Sequence, residues 1–135
     1  MPHFIVEYTA NLEAQGDLPG LLKKVNDTLI AQGGVFPIGG IRTRAERRDI
    51  YQIADGHPDN AFVHVQARIG TGRAPEVRQK AAEHIFAAVK AETAKVFESR
   101  PMGLTLEIVE IDPVGSLKHN NLHEAVEARR KGNAA

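Results

Sequence analysis

One pattern constrains this chain more than any other, and it occurs twice. An alternating, strand-like run leads into a helix-like segment with proline near its start, and a second strand-like run follows. The first unit begins at HFIVEY, where Phe4, Val6 and Tyr8 share one face and His3, Ile5 and Glu7 the other. DLPGLLKKVNDTLIAQGG reads as its helix. Asp17 can cap it, Pro19 suits the first turn, and Gly33-Gly34 stop it. Leu18, Leu21, Leu22, Val25 and Leu29 recur at helical spacing and predict one buried face. After an FPIGG turn, IRTRAERRDIYQIAD predicts a long charged strand, or two strand pieces, ending at the DGHPDN loop. The second unit sets Val63, Val65, Ala67 and Ile69 against Phe62, His64, Gln66 and Arg68. A GTGRAP link then opens a long helix with a stripe of Val77, Ala81, Ile85, Val89, Val96 and Phe97, and LTLEIVEI is the closing strand. NNLHEAVEARRK predicts a short terminal helix, and GNAA a frayed end.

Parallel strands joined by a right-handed helical crossover pack with the helix on one sheet face. Two such units predict an α+β fold, a four-stranded mixed sheet with both helices on one face plus short C-terminal elements. The whole chain, 1–135, reads as one domain, with βαβ units at about 2–56 and about 61–112 and an extension at about 113–135. The repeat is one of pattern, not of residues. Its second sheet face is left without helices, and partly apolar strands there ask for a further copy of the chain as cover.

Composition narrows the chemistry. With no cysteine there is no disulfide framework, no thiolate nucleophile and no cysteine metal site. Seventeen basic residues balance seventeen acidic ones, so no global charge draws nucleic acid or an anionic membrane. No apolar run approaches the ~18 residues of a membrane span, and Glu7 interrupts FIV at once, unlike a secretory leader. The expectation is a soluble, cytoplasmic protein.

Several motifs carry little. GTGR at 70–73 precedes a helix but lacks the spacing of a phosphate loop. His119 and His123 have i, i+4 spacing without a third ligand pattern, so no metal site is expected. No GxSxG nucleophile is present. Two features are more suggestive. Pro2 stands directly before a strand, where proline is tolerated for want of a needed N–H; once Met1 is removed it is also a free secondary amine. Arg42 and Arg44 lie two apart on one strand face, and Arg73 joins a strand to a helix. Guanidinium forks suit carboxylates, but on composition alone a solvated charged strand is the favoured reading, and the cluster becomes a site only if a reactive group lies near it.

MPHFIVEY, DLPGLLKKVN, FPIGGIRTR, YQIADG, FVHVQARIGTGR, FESRPMGLTLEI and KHNNLH, in that order, resemble the tautomerase superfamily, and within it the 5-carboxymethyl-2-hydroxymuconate isomerases. The resemblance runs from residue 1 to about 123. It implies a homotrimer with the site near a subunit boundary and an N-terminal proline, here Pro2, as general base. It also implies two arginines on substrate carboxylates, matching Arg42 in GGIR and Arg73 in GTGR. The implied substrate is a small unsaturated carboxylate, a muconate dienol from homoprotocatechuate breakdown, ketonised without metal or organic cofactor. Gly39-Gly40, AERRDI after Arg44 and the longer charged tail after His123 depart from the family pattern and bear on which acid is accepted. A dicarboxylate tautomerase of the 4-oxalocrotonate type and a non-catalytic trimeric binding module remain as alternatives.

Such a base must be neutral to work. An α-amino group titrates near ~8 and a secondary amine higher. Burial and neighbouring guanidinium groups both disfavour the ammonium form, so the proline amine is expected to titrate closer to neutrality.

Overall fold

Residues 2–134 are described by a computed structural model. Alternation becomes architecture directly in β1 (His3–Thr9), where Phe4, Val6 and Tyr8 are buried and His3, Ile5 and Glu7 are only partly covered. α1 (Leu18–Ile30) begins where Asp17 accepts a hydrogen bond from the Gly20 amide at 3.0 Å, and it buries Leu21, Val25 and Leu29. A 3₁₀ turn at Ile38–Gly40 leads into β2 (Arg42–Arg48). β3 (Ala61–Gly70), α2 (Pro75–Ser99) and β4 (Met102–Ile111) repeat the order, and α3 (Leu122–Ala134) closes the chain.

The sheet order is β2-β1-β3-β4. β1 pairs parallel with β2 and antiparallel with β3, and β3 pairs parallel with β4, so each βαβ unit contributes a parallel pair and the two units meet back to back. Register places Phe4 beside Ala67 and Val6 beside Val65, in one core with Val25, Leu29, Ile85 and Val89 from the two helices. Each fully buried branched or aromatic side chain here contributes about 1.5–3 kcal/mol. The mixed α+β sheet with its two crossover helices on one face is therefore as expected.

The other face carries His3, Glu7, Arg44, Arg48, His64, Gln66, Arg68 and Glu107. It is knit by polar contacts: Arg48 to Glu7 at 2.6 Å and to Glu46 at 2.8 Å, and His64 to Thr105 at 2.6 Å. Ile5, Phe62 and Val109 are its half-buried apolar members.

Three expectations need correction. YQIAD is not a strand: β2 stops at Arg48, opposite Thr9, the last residue of β1. β2 is an edge strand whose one partner strand, β1, ends at Thr9, so no strand continues the pairing, and Ile50 is left 97% exposed. The stripe on α2 holds only in its centre. Val96 packs on the core, but Phe97, one residue further round the helix, is 56% exposed. Val77, near the start, also lies outside the buried set. Finally, α3 continues through Gly132 to Ala134, past the expected end at Lys131, with a Lys131–Glu127 ion pair at 3.2 Å in its last turns. Met1 and Ala135 lie outside the described residues, and with them the expected loss of Met1 and the end of the frayed tail.

Candidate active site

β1 and β2 begin, and β3 and β4 end, at the same edge of the sheet. There a cleft of about 530 Å³ is lined by Pro2, Pro37, Gly40, Gly70, Thr71, Arg73, Lys118, Asn120 and His123. Pro2 is buried, and its carbonyl accepts the Arg42 amide at 3.1 Å, which extends the β1–β2 ladder by one bond. The strand pairing thus fixes where residue 2 sits. No carboxylate lines the cleft among the described residues, so its charged groups are cations.

Arg73 is held at the β3–α2 link. Gly72 adopts φ +104, a conformation that side-chain-bearing residues rarely take, and this turn delivers Arg73 to the cleft wall. The guanidinium donates from Nε and Nη2 to the Val35 carbonyl, at 3.3 and 2.9 Å, and from Nη1 to the Gly70 carbonyl at 3.2 Å. It also stands 4.8 Å from the centre of the Phe36 ring. Of its five N–H groups two are left for a ligand.

Arg42 is placed differently. It is not among the residues that line the cleft; its Nη1 donates to the Gly40 carbonyl at 2.8 Å. Arg44 lies further along the open face, with Nη1 3.0 Å from His3 Nδ1. The structure therefore brings Pro2 and Arg73 together and leaves Arg42 outside the cleft lining, bonded to Gly40, which does line it. His3, next to Pro2, is held below the usual histidine range by burial first and then by the Arg44, Arg42 and Arg68 guanidinium groups around it. The surroundings of the N-terminal segment are thus unfavourable to a further positive charge.

Lys118, Asn120 and His123 were not singled out as site residues. They come from the β4–α3 link and the start of α3, 48 residues or more along the chain from Gly70. Their sequence signal is the KHNNLH stretch, which shows only as part of the family pattern. Two local devices put them there. The Asn120 side-chain oxygen accepts the Leu122 amide at 2.7 Å and starts α3. Gly39 then lets α3 approach: a Cβ at that position would fall 2.7 Å from the His123 Cα and 2.8 Å from its amide nitrogen. Of the expected i, i+4 histidine pair only His123 is helical, since His119 precedes α3, and no cluster of three metal-ligating side chains occurs among the described residues. No helix among the described residues is long and apolar enough to cross a membrane.

The profile of the 5-carboxymethyl-2-hydroxymuconate isomerase family matches residues 2–126. A 5-carboxymethyl-2-hydroxymuconate Delta-isomerase of Escherichia coli is 48% identical over 123 residues, covering 91% of this chain and 97% of that protein. Among solved structures, a 5-carboxymethyl-2-hydroxymuconate isomerase from Deinococcus radiodurans R1 superposes with a TM-score of 0.88 at 40% identity, over 93% of each chain. A second structure, of a 5-carboxymethyl-2-hydroxymuconate delta-isomerase, gives 0.86 at 31% identity over the same shares.

Proposed function

The chain belongs to the 5-carboxymethyl-2-hydroxymuconate isomerase family and is an isomerase, and from that premise we propose that it ketonises 5-carboxymethyl-2-hydroxymuconate with the Pro2 nitrogen as general base. The observation that carries this reading is the cleft itself, in which a buried Pro2 faces cations and no carboxylate. With Met1 removed, the Pro2 nitrogen is a free amine. Burial and the guanidinium field that depresses His3 keep that amine neutral enough to accept a proton.

The proton balance is simple. Pro2 takes the proton of the 2-hydroxyl, and the O–H electrons become the C2 carbonyl. The C2–C3 and C4–C5 double bonds become one C3–C4 double bond, and the same proton is delivered to C5. No electron leaves the substrate, so one base and correct placement suffice. Arg73 offers its two remaining N–H groups to one carboxylate. Arg42, released from the Gly40 carbonyl, takes another and stabilises charge developing on the 2-oxygen. Ile5, Phe62 and Val109, half-buried on the face without helices, support a homotrimer with neighbouring copies over that face; a sedimentation mass of one chain would overturn that assembly.

The decisive experiment compares enzyme with Met1 removed, verified by mass, against enzyme with Met1 retained or the amine acetylated. Ultraviolet monitoring of dienol ketonisation should show a fall of about 10²–10⁴-fold in kcat/KM when the amine is blocked. Full activity with Met1 in place would sink the mechanism.

A further inference from the structure

The proposed substrate carries three carboxylates, and the two arginines can pair with two of them. We propose that Lys118 receives the third, the flexible carboxymethyl arm, and thereby makes this cleft prefer a tricarboxylate to a dicarboxylate; this rests on the proposed function above. Lys118 lines the same cleft as Pro2 and Arg73. It takes part in no ion pair among the described residues, unlike Lys23 and Lys131 on their helices. No acidic residue lines the main cleft to compete for it.

The shape of the site agrees. Gly70, Thr71 and Lys118 also border an adjoining hollow of about 200 Å³ that continues toward Ser116 and Asp112. A branch from the substrate body can pass Gly70 and Thr71 and meet the ammonium at this junction. Asp112 is the acidic residue that borders this hollow, and its Oδ1 accepts the Val114 amide at 3.0 Å.

The residue types match the two kinds of carboxylate. The muconate carboxylates continue a planar conjugated chain, and a planar guanidinium fork suits them. The third hangs from a saturated carbon and rotates. A compact ammonium on a four-carbon stem accepts many directions of approach at little orientational cost. Arg42, Arg73 and Lys118 then balance all three negative charges. A dicarboxylate leaves the ammonium without a partner, and selectivity follows from that difference.

The test measures kcat/KM of wild type, Lys118→Met and Lys118→Arg on 5-carboxymethyl-2-hydroxymuconate and on 2-hydroxymuconate. Lys118→Met should lose roughly tenfold of the preference for the tricarboxylate, mostly through KM, as expected for one exposed charge-assisted contact. Lys118→Arg should regain most of it, and added salt should shrink the preference of wild type but not of Lys118→Met. An unchanged preference in Lys118→Met, or equal losses on both substrates, would overturn the role of Lys118. Wild type that turns over neither acid would instead remove the proposed function, so the two failures are told apart.

Discussion

At one end of the sheet Thr9, Asn11 and Arg100 tie the exit of β1 to the entries of β3 and β4; at the other, Pro2, Arg73 and Lys118 surround an open cleft. The first end is closed on itself. Thr9, fully buried, donates to the Asn11 side-chain oxygen at 2.7 Å and accepts the Phe62 amide at 3.2 Å. Asn11 Nδ2 donates to the carbonyls of Pro58 and Asn60 at 3.2 and 2.9 Å, and Arg100 Nη1 donates to the Asn11 carbonyl at 3.1 Å. At the cleft end the polar groups are only half engaged: Arg73 binds two backbone carbonyls and keeps N–H groups over, and Lys118 has no ion pair among the described residues. The difference separates tasks. At one end most donors are spent within the chain and hold the strands in register, buried Arg100 Nε being the exception, whereas Arg73 and Lys118 at the other keep N–H groups that a ligand can use.

Arg73→Ala should break the cleft end hardest. It removes ligand donors together with the Val35 and Gly70 bonds, so kcat/KM should fall by about 10²-fold and stability by about 1–2 kcal/mol. Arg73→Lys keeps the charge without the fork and should recover only part of either. Wild-type kcat/KM in Arg73→Ala would mean that the cleft does not bind substrate through this residue.

Asn11→Ala tests the closed end. It should lower the unfolding free energy by about 2 kcal/mol, read from the urea midpoint, because the Thr9 hydroxyl and two carbonyls lose partners. Its kcat/KM should stay within about twofold of wild type. A large activity loss without a stability loss would show that the ends are not separable.

The smallest effect probes the field beside Pro2. Folding lowers the His3 pKa, through burial and then Arg44 and Arg42. Just below the unfolded value near 6.5 the unfolded chain therefore binds a proton that the folded one does not, and stability falls as pH drops through that window. His3→Gln should flatten this loss between pH 7.5 and pH 5 by a small but measurable shift of the urea midpoint. Identical pH profiles for the variant and wild type would remove His3 as a reporter of that field.

Much of this was legible without coordinates. The period of two in HFIVEY and AFVHVQARI and the Asp17 cap correspond to buried faces and to a helix start. YQIAD reads as a strand by composition, but beyond the end of β1 it has no partner strand. Pro2 and Arg73 stood out because each sits at an element boundary with a distinctive residue type. Lys118, Asn120 and His123 did not, because a polar link has no periodicity to mark which side chain turns inward.

The amino-acid sequence by itself determined what depends on neighbours along the chain: which residues alternate, where helices start, and that no cysteine or net charge was available to the chemistry. Tertiary structure decided what depends on neighbours in space. It put Arg73 against the carbonyl of Val35, tied Arg42 to the carbonyl of Gly40, and brought Lys118 into the cleft with Pro2 beside an α3 that only glycine at position 39 allows so close. Local spacing encodes a strand or a turn, whereas a cleft is formed by contacts between residues far apart in the chain, and these exist only once the core has packed.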